Sequence, residues 1–303
     1  MRRRAVLAFA LAWVLVGCYG VWSYAHDYYL YRGFGPPRDP PGVARGSLRS
    51  VRFRSAALGS VRTYDVYVPP GYAAVAARGG RLGVLYLLHG APGAPRLFIN
   101  AGAIGVAVDT LLARHAIRPF LVVMPDGRDG SFAGDTEWAD TAHGRYESFV
   151  LDVVRAVDAR WPTVADRAHR VLAGNSEGAY AAANLSLRHP ATFGGFEGWS
   201  GYYRQTRAGV FKGASAAELQ ANSPIDLART RRAALARLPV HAYLYGGTDD
   251  PATADLHPLG RGLRAAGASV TEQLLPGRHD WRLWRAQTPA MVRWAGRQMG
   301  AAR

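Results

Sequence analysis

Three short stretches of this 303-residue chain carry the residue types that acyl chemistry needs: "GNSEG" at 174–178, "GGTDD" at 246–250 and "GRHDW" at 277–281. A serine hydroxyl is a poor nucleophile at neutral pH. It needs a base within hydrogen-bond reach and a carboxylate to orient that base. Ser176, an aspartate of the second stretch and His279 of the third supply the three parts in the order Ser, Asp, His. The G-x-S-x-G pattern alone is loose in a chain with 35 glycines, and its setting gives it meaning. It follows the apolar run "RVLAG" and precedes the helical run "EGAYAAANLSLRH", which is the strand-turn-helix context of a nucleophile elbow. So sharp a turn strains the serine and leaves no room for side chains at Gly174 or Gly178.

Asp249 and Asp250 come just past the predicted strand "VHAYLYGG" (240–247), and His279 lies in the loop after the next strand, "SVTEQLLPG" (269–277). Loops at the carboxyl ends of parallel strands are where such sheets build their sites. Asp249 is the preferred acid, because it comes sooner after the strand and Asp250 is restricted by the following Pro251. His89 stands where a strand enters its turn and reads as positioning that loop; His189 reads as a helix end. His26, His115, His143, His169, His241 and His257 read as surface or packing residues.

The elements that must hold these residues follow from periodicity. Segments 48–54 and 61–68 alternate like half-buried antiparallel strands. The rhythm then changes to apolar runs ("GVLYLLHG", "FLVVMP", "HRVLAG", "FGGFEGWSG") separated by helical patterns, including 146–160, 178–188 and 281–298. Such alternation calls for an α/β fold with a mostly parallel central sheet, helices on both faces and antiparallel strands at the N-terminal side. The segment 202–232 shows no clear period and reads as an insertion near the site. Trp138, Tyr146, Tyr202 and Tyr203 are candidates for acyl-pocket walls or for core packing.

The N-terminus "MRRR", followed by the apolar run Ala5–Val16, has the layout of an export signal. "LVGC" around Cys18 resembles a lipobox, whereas continuation through "YGVWSYA" to Ala25 is long enough for one membrane span. The expected organisation is a signal peptide or membrane anchor at 1–25, a Pro/Gly-rich linker at 26–47 and a catalytic domain at 48–303. The protein is expected outside the cytoplasm, membrane-anchored or secreted. The formal charge of +15 comes almost entirely from scattered arginines, and no basic stripe with interleaved aromatics suggests a nucleic-acid partner. Attraction to anionic membranes or envelope polymers is the expected effect of that charge. A single cysteine rules out an internal disulfide or a cysteine-rich zinc site, and no cofactor or metal is expected.

From "VRTYDVYVPPGY" to "HDWRLW" the chain resembles the Putative esterase branch of the α/β-hydrolases, which includes esterase D, the feruloyl esterases and the mycolyltransferases. "VYVPPGY", "LYLLHGAPG", "GNSEGAY", "RHPATFGGFEGWSG", "GGTDD" and "GRHDWRLW" occur in that branch's order. The resemblance implies an α/β-hydrolase fold, Ser176 as nucleophile, His279 as base and Asp249 as acid. It also implies an oxyanion hole from the backbone N–H groups of Ala91 and Glu177. The expected activity is ester hydrolysis through an acyl-enzyme, on a small-molecule or envelope-glycan or lipid ester. Acyl transfer to an envelope sugar or lipid is the alternative. Where the branch carries a small or apolar residue after its serine, this chain has Glu177, a carboxylate that opposes a developing oxyanion unless it points away. Glu177 is the one feature that favours a silent surface-binding module.

Overall fold

The alternating segments at the start of the body pair as an antiparallel ribbon, β1 (Ser47–Ser55) with β2 (Ser60–Val68), in register from Ser47 opposite Val68 to Ser55 opposite Ser60. The computed structural model describes residues 2–131 and 134–300. Met1, residues 132–133 and the last three residues of the expected catalytic span lie outside the described residues. After α2 (Tyr72–Ala77) comes β3 (Val84–Leu88), the run without alternation, and it is wholly buried. Val84, Tyr86 and Leu88 enter one hydrophobic cluster while Leu85 and Leu87 enter another. A strand covered on both faces has no wet side to encode, which explains the continuous apolar run.

The chain continues through α3 (Arg96–Asn100), α4 (Ile104–Ala113) and β4 (Leu121–Pro125). A short hairpin of β5 (Asp140–Thr141) and β6 (Gly144–Arg145) leads into α5 (Tyr146–Arg160), and β7 (Arg170–Asn175) passes directly through Ser176 into α6 (Glu177–Arg188). β8 (Gly195–Trp199) is followed by three short helices, α7 (Ala216–Ala221), α8 (Pro224–Thr230) and α9 (Arg232–Arg237). β9 (His241–Gly247), α10 (Leu256–Ala265), β10 (Ser269–Leu275) and α11 (Trp281–Gln298) complete the body. The main sheet has the order β1-β2-β4-β3-β7-β8-β9-β10. Its first pairings, β1 with β2 and β2 with β4, are antiparallel, and from β4 onward the strands run parallel. One cluster of the core includes residues of α5, α6 and α10, and the other includes residues of α4 and α11, one on each face. This is the mostly parallel α/β sheet expected from the periodicity, in the α/β-hydrolase arrangement that the resemblance implies.

The segment 26–47 differs from a free spacer. The helix α1 (Arg2–Tyr31) runs through its first residues, because nothing breaks the helix before Gly33 and Pro36. The remainder is tied to the body: Phe34 packs on the α4/α11 cluster, and the Gly46 N–H donates to Tyr67 Oη and Asp109 Oδ2, each at 3.0 Å.

Candidate active site

Ser176 sits between β7 and α6 with φ 57° and ψ −122°, a conformation that a non-glycine residue holds only when its surroundings impose it. The surroundings are tight. A Cβ on Gly178 would lie 1.8 Å from the Leu88 carbonyl oxygen, and one on Gly174 would lie 2.4 Å from the same atom. The turn therefore packs backbone against backbone between β3 and α6, and only glycine allows it. The serine N–H donates to the Trp199 carbonyl at 2.9 Å, which ties the turn to the neighbouring strand β8.

Ser176 and His279 line one cavity of about 380 Å³, together with Gly90, Ala91, Leu97, Asn175, Trp281 and Trp284. The His279 ring packs edge-on against Trp284, with centroids 5.2 Å apart, and Trp284 Nε1 donates to Ser200 Oγ at 3.1 Å. Asp280 caps α11 by accepting from the N–H groups of Arg282 at 2.9 Å and Leu283 at 3.2 Å, and so holds the residue after the histidine in place. Sequence reasoning missed Leu97, Trp281, Trp284 and Asp280. Three of these follow His279 directly in "HDWRLW", and the N-cap pattern of aspartate before a helical run marks one of them.

The carboxylate that reaches His279 belongs to Asp250 and not to Asp249. Asp250 Oδ2 lies 2.9 Å from His279 Nδ1, its side chain is fully buried, and Oδ1 accepts from the Ala252 N–H at 2.9 Å. Asp249 is exposed; its backbone N–H donates to the Gly277 carbonyl, and among the described residues its carboxylate meets only the Thr248 hydroxyl at 3.5 Å. The proline that seemed to disfavour Asp250 explains the outcome. A residue before proline is driven to extended backbone, Asp250 adopts φ −111° and ψ 108° with its side chain inward, and Asp249, in the turn closed by the Asp250 N–H on the Gly247 carbonyl at 3.2 Å, faces water. The bond to Asp250 uses Nδ1 of the His279 ring and leaves Nε2 outside it. Among the described residues the Ser176 hydroxyl is not hydrogen-bonded to His279, a looseness common to unliganded sites.

Ala91 and Glu177, the expected oxyanion donors, flank the serine on two elements. Glu177 opens α6, where a first-turn N–H has no partner within the helix. Ala91 lies in the loop after β3, held from behind by His89, whose Nε2 accepts from the Gly127 N–H at 3.2 Å and whose Nδ1 therefore donates to the Gly90 carbonyl at 3.0 Å. Burial pushes the His89 pKa down to about 4, so the ring stays neutral and keeps that tautomer. Trp138 Nε1 donates to the His89 carbonyl at 3.0 Å.

The Glu177 side chain points away from the cavity into the body. Its Oε1 accepts from the Thr136 N–H at 3.2 Å, Oε2 has no partner among the described residues, and the residue is 3% exposed. Burial, and then the neighbouring Glu137 and Asp135, push its pKa well above the carboxylate range. A neutral, inward-facing carboxyl puts no negative charge beside the oxyanion position. Glu137 accepts from Tyr202 Oη, at 2.7 Å to each of its oxygens, and from Gln205 Nε2 at 2.9 Å. The 202–232 segment is thus joined to the loop behind the elbow. Trp138, Tyr146, Tyr202 and Tyr203 pack there and do not line the serine cavity.

A family model described as Putative esterase matches residues 55–295, most of the chain. The chain belongs to the Putative esterase family. It is similar to an endo-1,4-beta-xylanase/feruloyl esterase of Xylanibacter ruminicola, 31% identical over 169 residues, which covers 55% of this chain and 22% of the relative. It is also similar to an uncharacterized protein of Corynebacterium glutamicum, 26% identical over 249 residues, covering 77% of this chain and 57% of the relative. The chain thus spans 22% and 57% of the lengths of these two curated relatives. Among solved structures, a ferulic acid esterase superposes with a TM-score of 0.74 at 22% identity, covering 84% of this chain and 99% of that one. At that identity the likeness speaks for the fold.

Proposed function

We propose that the chain is a serine esterase that works through an acyl-enzyme, with Ser176 as nucleophile, His279 as base and Asp250 as the acid that orients it. The observation that carries this reading is the 2.9 Å bond from His279 to the buried Asp250, on the rim of the cavity into which the strained Ser176 faces. In this reading His279 Nε2 takes the hydroxyl proton as Ser176 Oγ attacks the ester carbonyl. Asp250 stabilises the imidazolium, and the N–H groups of Ala91 and Glu177 receive the oxyanion. The imidazolium returns its proton to the leaving alcohol. A water, activated in the same way, then releases the acid. The His279 side chain is 34% exposed, so water has access to the acyl-enzyme, which favours hydrolysis over transfer to a second alcohol. The inward, neutral Glu177 argues for an active elbow over a silent scaffold.

The helix α1, apolar from Arg3 to Tyr31 and unburied along its apolar stretch, supports export and anchoring with the body outside the cytoplasm. The test is labelling with a fluorophosphonate probe and mapping of the modified peptide. Label on Ser176 that disappears in His279→Ala is the expected result, and a folded protein that takes no label refutes the reading.

A further inference from the structure

The apolar helix does not end clear of the catalytic body. Its last turn packs against α3, and Tyr28 and Arg32 form part of the wall of the cavity that holds Ser176 and His279. Arg32 (φ 54°) and Gly33 (φ 83°) end the helix in left-handed backbone, a conformation that costs Arg32 and needs a compensating contact. The following residue supplies it, because Arg285 of α11 lies 4.5 Å over the Phe34 ring. The junction between α1 and the body is therefore clamped between α3 and α11, beside the mouth of the cavity.

The charge at that mouth is unbalanced. Arg32 and Arg282 both line the cavity, and among the described residues neither pairs with a carboxylate. Among the described residues the Arg32 Nε, sealed from solvent, has no hydrogen-bond acceptor, and the guanidinium lies 5.5 Å over the Tyr28 ring. Asp280, the acid that lines the same wall, is engaged in capping α11. Arginine side chains at a catalytic mouth without a carboxylate partner call for an anionic group on the ligand.

The helix also sets the height of the mouth. Arg2, Arg3 and Arg4 mark one end, and Trp22, Tyr24, Tyr28, Tyr29 and Tyr31 cluster at the other, the arrangement of a cytoplasmic charge end and an interfacial aromatic belt. The ten steps from Trp22 to Arg32 rise about 15 Å, so the cavity opens close above the lipid head groups on the side of the aromatic belt.

Resting on the serine esterase reading and on the anchor, we propose that the substrate is an anionic lipid in the leaflet that faces the body, with Arg32 holding its negatively charged head group. The acyl carbonyl of that lipid is attacked by Ser176. The ester C–O bond breaks, the lysolipid leaves with the proton from His279, and water releases the fatty acid.

The test uses the full chain in phosphatidylcholine vesicles that contain either a fluorogenic phosphatidylglycerol or the matching phosphatidylcholine, with a soluble umbelliferyl acetate assayed alongside. The expected preference for the anionic lipid is about tenfold, the effect of one charge-assisted contact at a half-open site. Arg32→Gln is expected to collapse that ratio and Arg32→Lys to retain most of it, whereas general damage to the fold lowers both lipids alike and leaves the ratio standing. Hydrolysis of the soluble ester with equal or no turnover of the two lipids overturns the inference and leaves the esterase reading intact. An Arg32→Gln protein that keeps the wild-type ratio also overturns it. No turnover of any ester, together with no label on Ser176, removes both.

Discussion

Replacing Glu137 by glutamine tests how the loop behind the elbow is held. Burial is the main cause that pushes the Glu137 pKa up from 4.5 to about 7, with Asp135 adding to it, while the hydrogen bonds from Tyr202 and Gln205 work the other way. A carboxyl whose folded pKa is raised gives stability that is fully present below its unfolded pKa and lost as pH climbs through the folded one. The window here runs from about pH 4.5 to about pH 7. Between about pH 5 and about pH 8 linkage gives a loss of about 2.5 kcal/mol from this one group. Other groups titrate in the same range; neutral His89, for example, contributes with the opposite sign, since its lowered pKa costs stability on acidification. The informative quantity is therefore a difference of differences: urea unfolding free energies of wild type and Glu137→Gln at both pH values. The variant is expected to gain about 2.5 kcal/mol on the wild type between the acidic and the alkaline condition. Because Glu137 also raises the pKa of Glu177, removing it eases ionisation of the second carboxyl and adds to the gain. Parallel stability curves for the two proteins refute the reasoning.

Three further outcomes follow from the geometry. Asp250→Asn is expected to lower kcat for a short-chain nitrophenyl ester by about 10³ to 10⁴, and Asp249→Asn to change it by less than about twofold; the reverse order moves the acid to Asp249. Gly178→Ala is expected to cost about 3 kcal/mol or more in thermal or urea unfolding, because its methyl group meets the Leu88 carbonyl at 1.8 Å. A near-neutral result means that the elbow relaxes. Cys18→Ser is expected to stay in the carbonate-washed membrane fraction, because the apolar helix continues past residue 18 to Tyr31. Release into the soluble fraction assigns the anchor to a lipid on the cysteine.

Much of the fold could be read in advance because period and burial agree. "VRTYDVYV" alternates and pairs at the antiparallel side of the sheet, "VLYLL" does not alternate and is buried on both faces, and the helix expected over 146–160 is α5. The elbow was equally readable, since two glycines around a serine between a strand and a helix leave one geometry that packs. In the segment 26–47 the prolines hide a different start, since residues 26–31 lack any breaker and continue the helix.

By itself, the sequence determined the order of elements, the elbow at Ser176 and the loops that bring an aspartate and His279 to the same end of the sheet, because these depend on local period and on strand direction. Only the tertiary structure decided among neighbours. Asp249 lies in the turn that the Asp250 N–H closes on the Gly247 carbonyl and Asp250 begins the extended backbone after it, so one residue of offset separates an exposed carboxylate from a buried one on His279. The inward turn of Glu177 depends on Thr136 and Glu137, forty residues away along the chain. The arrival of Arg32 at the serine cavity depends on α3 and α11 clamping a helix end, a contact that no local pattern encodes.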